Sequence, residues 1–153
     1  MGLEAFIAER KQSKDLLVMA HVVCGYPSFE ENLQELEIMA EAGVDLVELQ
    51  FPFSEPSADG PLFVRANEQS LKAGTTVDQC FDFMRQVSAQ FPFKVLMMGY
   101  YNTVFKMGED IFVQRLKDAG GVVISCLTCR LRKPNIYMHC RHKLVLSLSL
   151  IHI

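Results

Sequence analysis

The chain has 153 residues, half of them hydrophobic and 22% charged, with a formal net charge of −3. That is enough for one domain with a real core; it excludes a disordered chain and gives no case for nucleic-acid binding. The longest apolar runs are too short for a bilayer, no basic-then-apolar leader precedes a cleavage site, and the five cysteines read as free thiols of a cytoplasmic protein rather than a disulfide framework.

GLEAFIAERK near the start has helical spacing and is expected to cap one end of the domain. LLVMAHVV (16–23) is a continuous β-rich apolar run that Gly25 and Pro27 stop. Ser28 and Glu31 then form a capping box, and the helix it opens places Leu33, Leu36, Met39 and Ala40 on one face before Gly43 ends it. VDLVELQF (44–51) is the next strand. LFVRANEQSLKAG is helical, and Thr76 with Gln79 makes a second capping box for a helix burying Cys80, Phe81, Met84 and Val87. KVLMMGYY (94–101) is a third strand, EDIFVQRLKDAGG (109–121) a helix, and VVIS (122–125) a fourth strand.

Strands this uniformly apolar are covered on both faces, so the alternation of strands and helices predicts a parallel sheet. The repeated helix–Gly–strand junctions EAGVDLVEL and DAGGVVIS fit either a (β/α) barrel or a doubly wound sheet. In both, chemistry belongs at the C-terminal ends of the strands. VELQFPFSEPSADGP (47–61) lies there, with three carboxylates, Glu48, Glu55 and Asp59.

Glu48 sits among apolar neighbours, where a carboxylate costs several kcal/mol unless it is paired or takes a proton. Desolvation raises such a carboxyl pKa, which suits a group that moves protons; the plain alternative is a Glu paired with a neighbouring strand. Asp59 reads either as a loop carboxylate aimed at a ligand or as ordinary Asp-Gly turn and capping chemistry. Tyr100, Tyr101 and Asn102 in GYYNTVF either line a pocket for a flat ligand or pack a loop. Cys126 and Cys129, followed by His139, Cys140 and His142, carry elements of a zinc site, but the second group is too compressed for a usual ligand pair, so no metal is expected.

Four segments in order, VCGYPS, VELQFPFSEPSADGP, AGTTVDQCF and MGYYNTVFKMG, resemble the tryptophan synthase α subunit family over about residues 1–121. The resemblance implies a (β/α)8 TIM barrel, of which this chain would hold about the first four βα units. It implies a lyase of tryptophan biosynthesis that cleaves indole-3-glycerol phosphate to indole and glyceraldehyde 3-phosphate. No cofactor belongs to the α subunit; pyridoxal phosphate belongs to a partner β subunit. Glu48 matches the general acid/base, giving a proton to indole C3 and taking one from the glycerol hydroxyl. Asp59 matches the carboxylate that holds the indole N–H. Met98 and Tyr100 match positions near the indole pocket, and His21 stands where an apolar aromatic often lines it. Pro52, Glu55, Asn102 and Phe105 fall where the family meets its β subunit. Gln50 departs from a usual Gly, Glu55 from a usual Asp.

The tail differs in kind. Residues 1–118 hold all 18 acids against 10 Lys and Arg, whereas residues 119–153 hold 5 Lys and Arg and no acid. The break predicts a barrel portion over 1–125 and a non-matching basic and apolar tail over 126–153, as a shifted reading frame would give. The expectation is a truncated lyase, impaired or inactive, with open strand edges and a β-prone ending that favour self-association. The alternative is a non-catalytic, partner-binding product.

Overall fold

A computed structural model of the protein describes residues 2–57 and 59–122, together with the backbone of 124–127. Four parallel strands pair in sequence order: β1 (Met19–Val23), β2 (Leu46–Gln50), β3 (Lys94–Tyr100) and β4 (Ile124–Leu127). A doubly wound sheet reverses its strand order at a switch point. Here every strand adds on the same side as the last, which is the progression of a barrel wall.

The helices follow the expected punctuation. α1 (Leu3–Arg10) precedes β1, and α2 (Phe29–Glu41) starts at Ser28, whose Oγ accepts from the Glu31 amide at 3.1 Å. α3 (Pro61–Lys72) begins on a proline, and α4 (Val77–Gln90) carries a complete Thr76–Gln79 capping box. α6 (Glu109–Asp118) packs against α4, where the Arg115 guanidinium lies 4.4 Å from the Phe81 ring. Between β3 and α6 the chain is not a loop. Residues Tyr101–Met107 form the short helix α5, and Gly108, at φ +92°, turns the backbone into α6.

Strand limits shift from those expected. β1 starts at Met19 rather than at residue 16, because Leu16 is exposed and Val18 is bonded to Asp45 instead. β4 starts at Ile124, two residues late. Side chains 126–129 and 139–142, and with them the zinc-like elements and the β-prone ending, lie outside the described residues. Among the described residues no cluster of three metal-binding side chains occurs, and no helix is long and apolar enough to cross a membrane.

The two faces of the sheet are unlike. Val22, Cys24, Val47, Leu49, Phe51, Val95 and Met97 point into a core closed by Leu36, Phe81, Met84, Val87 and Phe112. Cys24 and Cys80 are free and buried there; burial first, and their mutual hydrogen bond second, push the Cys24 thiol well up, so it is an unreactive packing residue.

Asp45, at the N-terminal end of β2, fixes the opposite end of the sheet. Its Oδ1 accepts from Lys14 Nζ at 2.7 Å, its Oδ2 accepts from the Val18 amide at 3.1 Å, and Arg10 lies at 3.7 Å. Burial alone would raise this carboxyl pKa; the Lys14 and Val18 bonds and the two cations outweigh it and hold it below 3.8. The resulting stabilisation is therefore complete above about pH 4 and lost as pH falls through the lower folded value. Asp45→Asn is expected to cost about 2 kcal/mol in urea unfolding at pH 7, and the gap from wild type should narrow below pH 4. An equal gap at both pH values would contradict this assignment.

Candidate active site

Period-two alternation places His21, Glu48, Gln50, Met98 and Tyr100 on the sheet face away from the helical core. Parallel register does the rest: His21 lies beside Glu48, and Gln50 beside Met98. The Glu48 side chain retains 14% exposure and His21 23%, whereas Gln50 and Asn67 are fully buried.

One hydrogen-bonded chain links these groups to the loop after β2. His21 Nδ1 is 3.0 Å from Glu48 Oε2, and His21 Nε2 is 2.8 Å from Gln50 Oε1. Gln50 Nε2 donates to Asp59 Oδ2 at 2.8 Å and approaches Asn67 Oδ1 at 3.5 Å. Asn67, on α3, donates to the Phe63 carbonyl at 2.7 Å and accepts from the Phe53 amide at 2.9 Å. It thereby ties Phe53 in the 51–60 loop to α3, while Ser70, one turn on, donates to the Cys24 carbonyl at 2.6 Å. Phe63 covers the His21 ring edge-on at 4.9 Å.

Burial opposes protonation of His21. The bonds to Glu48 and Gln50 and the negative charges of Glu48 and Asp59 outweigh it, so the imidazole pKa lies above its usual 6.5. This wall, with a proton-bearing imidazole, a strand carboxylate and a loop carboxylate, can hold a polar ligand and move a proton at Glu48.

The expected site residues fall into two groups. Glu48, Asp59 and His21 are joined, the two carboxylates through His21 and Gln50. Tyr100 ends β3, is buried, and stacks on Phe53 with centroids 4.7 Å apart; Met98 is half-buried beside Gln50 in register. Pro52 is half-buried, while Glu55, Asn102 and Phe105 are exposed, Phe105 by 71%. Asn102 and Phe105 ride on α5. Gln50 and Asn67 are site residues that the sequence pattern did not single out. Gln50 carried a signal, since it sits two residues from Glu48 on the same strand face.

A family model described as tryptophan synthase alpha chain matches residues 6–146, running past the charge break after residue 118 and past residue 121, the expected end of the resemblance. A tryptophan synthase alpha chain of Desulfotalea psychrophila is 51% identical over 120 residues, covering 78% of this chain and 47% of the relative. A solved structure from Aquifex aeolicus superposes with a TM-score of 0.87 at 25% identity, over 95% of this chain and 58% of that one. The tryptophan synthase subunit alpha of Legionella pneumophila gives a TM-score of 0.72 at 28% identity, over 77% and 45%. The chain thus spans about half the length of the curated relatives it matches.

Proposed function

The chain belongs to the tryptophan synthase alpha chain family, and from that premise we propose that it carries the carboxylate pair of a lyase cleaving indole-3-glycerol phosphate to indole and glyceraldehyde 3-phosphate. The observation that carries this reading is the continuous bonding of Glu48 to Asp59 at the C-terminal end of β2. Two carboxylates in one site with different surroundings suit different tasks. Glu48, beside an imidazole, protonates indole C3 and takes the proton of the glycerol hydroxyl. Asp59, fed by amide donors, holds the ring N–H as positive charge develops. Met98 and Tyr100 flank the ring.

Glu55, Asn102 and Phe105 on the exposed rim, with Pro52, meet a β subunit of a cytoplasmic complex; the exposed Phe105 ring is the apolar anchor of that contact. The barrel unit expected over residues 1–125 is carried on by β4 to Leu127.

Phosphate in such barrels is gripped by loops after strands 7 and 8. With four strands described and about half the relatives' length, these 153 residues by themselves are expected to release indole at least about 100-fold more slowly than the Desulfotalea psychrophila relative. An indole-release assay on both proteins checks this. Comparable turnover would show that the four-stranded unit suffices. The exposed Phe105 ring supports a second reading, a non-catalytic partner-binding product, which predicts β-subunit binding with no indole released at any enzyme concentration.

A further inference from the structure

The site network admits one donor–acceptor assignment, and it starts from the backbone. The Phe53 amide can only donate, so the Asn67 atom it meets is oxygen; the Phe63 carbonyl can only accept, so the other is nitrogen. Asn67 Oδ1 and the Asp59 carboxylate are acceptors, so the Gln50 atom facing both is its amide nitrogen. The Gln50 oxygen therefore faces His21, and His21 Nε2 bears a hydrogen. The other ring nitrogen meets the Glu48 carboxyl at 3.0 Å, a contact that needs one proton between the two. The usual ambiguity of amide and imidazole orientation is removed here, because each group is fixed by the one before it.

We propose that Glu48, His21, Gln50 and Asp59 form one proton-sharing relay, in which His21 is the positioning residue that holds and re-arms Glu48 and Gln50 locks the tautomer and ties the unit to Asp59. The one proton between His21 Nδ1 and the Glu48 carboxyl is the proton that the relay moves. The charged groups acting on the ring are Glu48 on β2 and Asp59 in the loop; α3 presents the uncharged Phe63.

The role in turnover rests on the lyase reading above. The proton passes from His21 Nδ1 to Glu48 and from Glu48 to indole C3, and Asp59 faces the cationic ring N–H. The glycerol hydroxyl then gives its proton to Glu48 as the carbon–carbon bond breaks. That bond's electron pair returns to the ring, and the oxygen becomes the aldehyde carbonyl. The proton moves back to His21. One proton leaves the relay and one returns, so no further reactant is needed.

The proton state is tested without turnover. In the 153-residue chain with 15N-labelled histidine, the His21 signals are assigned by their loss in His21→Phe and followed through a pH titration. Both His21 nitrogens are expected to be protonated at pH 7, with a midpoint above 6.5 that falls in Glu48→Gln and in Gln50→Leu. A neutral His21 at pH 7, or a midpoint that Glu48→Gln leaves in place, overturns the relay. Should His21→Phe fail to fold, His21→Gln supplies the assignment, and the wild-type titration then decides.

The functional arm uses a chimera joining residues 1–121 to the second half of the Desulfotalea psychrophila relative. There His21→Phe is expected to lower kcat about tenfold with little change in KM, and to move the basic limb of the kcat profile to lower pH. A purely structural role would leave that limb in place and overturns the re-arming step. An imidazolium His21 together with indole release indifferent to Glu48→Gln would keep the shared proton and sink the lyase reading. A neutral His21 together with release that depends on Glu48 would do the reverse.

Discussion

In the chimera, Glu48→Gln is expected to lower kcat for indole release by about 10²- to 10⁴-fold, the range that positioned acid–base groups contribute. The substitution keeps the shape of the side chain and removes its ability to cycle a proton. KM should change little, because Glu48 acts on the reacting carbon and hydroxyl rather than on the phosphate. Asp59→Asn should cost about 10²-fold, as loss of one charge-stabilising group does. It is also expected to disturb the loop, since Gln50 Nε2 and Asn67 Nδ2 both point at Asp59 Oδ2, at 2.8 and 3.4 Å. Steady-state kinetics on the two variants separate these roles. Unchanged release in either one would remove that residue from the proposed chemistry.

Phe81→Ala is expected to have the largest effect on stability, about 3–5 kcal/mol. Phe81 is fully buried on α4. It packs edge-on against Phe51 at 5.0 Å and Phe112 at 5.2 Å, which joins the end of β2 to α4 and α6. Arg115, stacked over the ring, is also paired with Asp78 at 2.6 Å, so the truncation loosens the α4–α6 contact as well. A domain of this size has about 5–15 kcal/mol in total, so the variant should sit near the edge of folding. Urea midpoints report the difference, and a loss below about 1 kcal/mol would place the core elsewhere.

The contrast between these two residues explains what could be read from the chain. Phe81 announces itself locally, because apolar residues at helical spacing behind a capping box leave few other arrangements. Glu48 announces itself too, as an acid in an apolar strand. The relay does not. It depends on His21 standing beside Glu48 across two strands 27 residues apart, a register that neither segment contains. Gln50 was visible only as a departure from a usual glycine, and Asn67 as a polar residue in a helix. The α5 helix escaped because its cap is Tyr100, whose side chain makes no capping bond; an aromatic strand end gives no start signal. The barrel itself was half legible. Local pattern gives parallel βα units, but only strand order distinguishes a wall that keeps turning one way from a sheet that doubles back.

The two departures from the family pattern, His21 and Gln50, depend on each other. Without the imidazole, the fully buried Gln50 keeps acceptors for its nitrogen, but its Oε1 loses the partner it has. Without Gln50, the His21 Nε2–H under Phe63 loses its acceptor, and a polar atom left buried without a partner costs about 1–3 kcal/mol. Either residue alone is therefore a poorer arrangement than the two together. The pair acts as a latch, and the face of the sheet that folding does not use is where such a latch can be built.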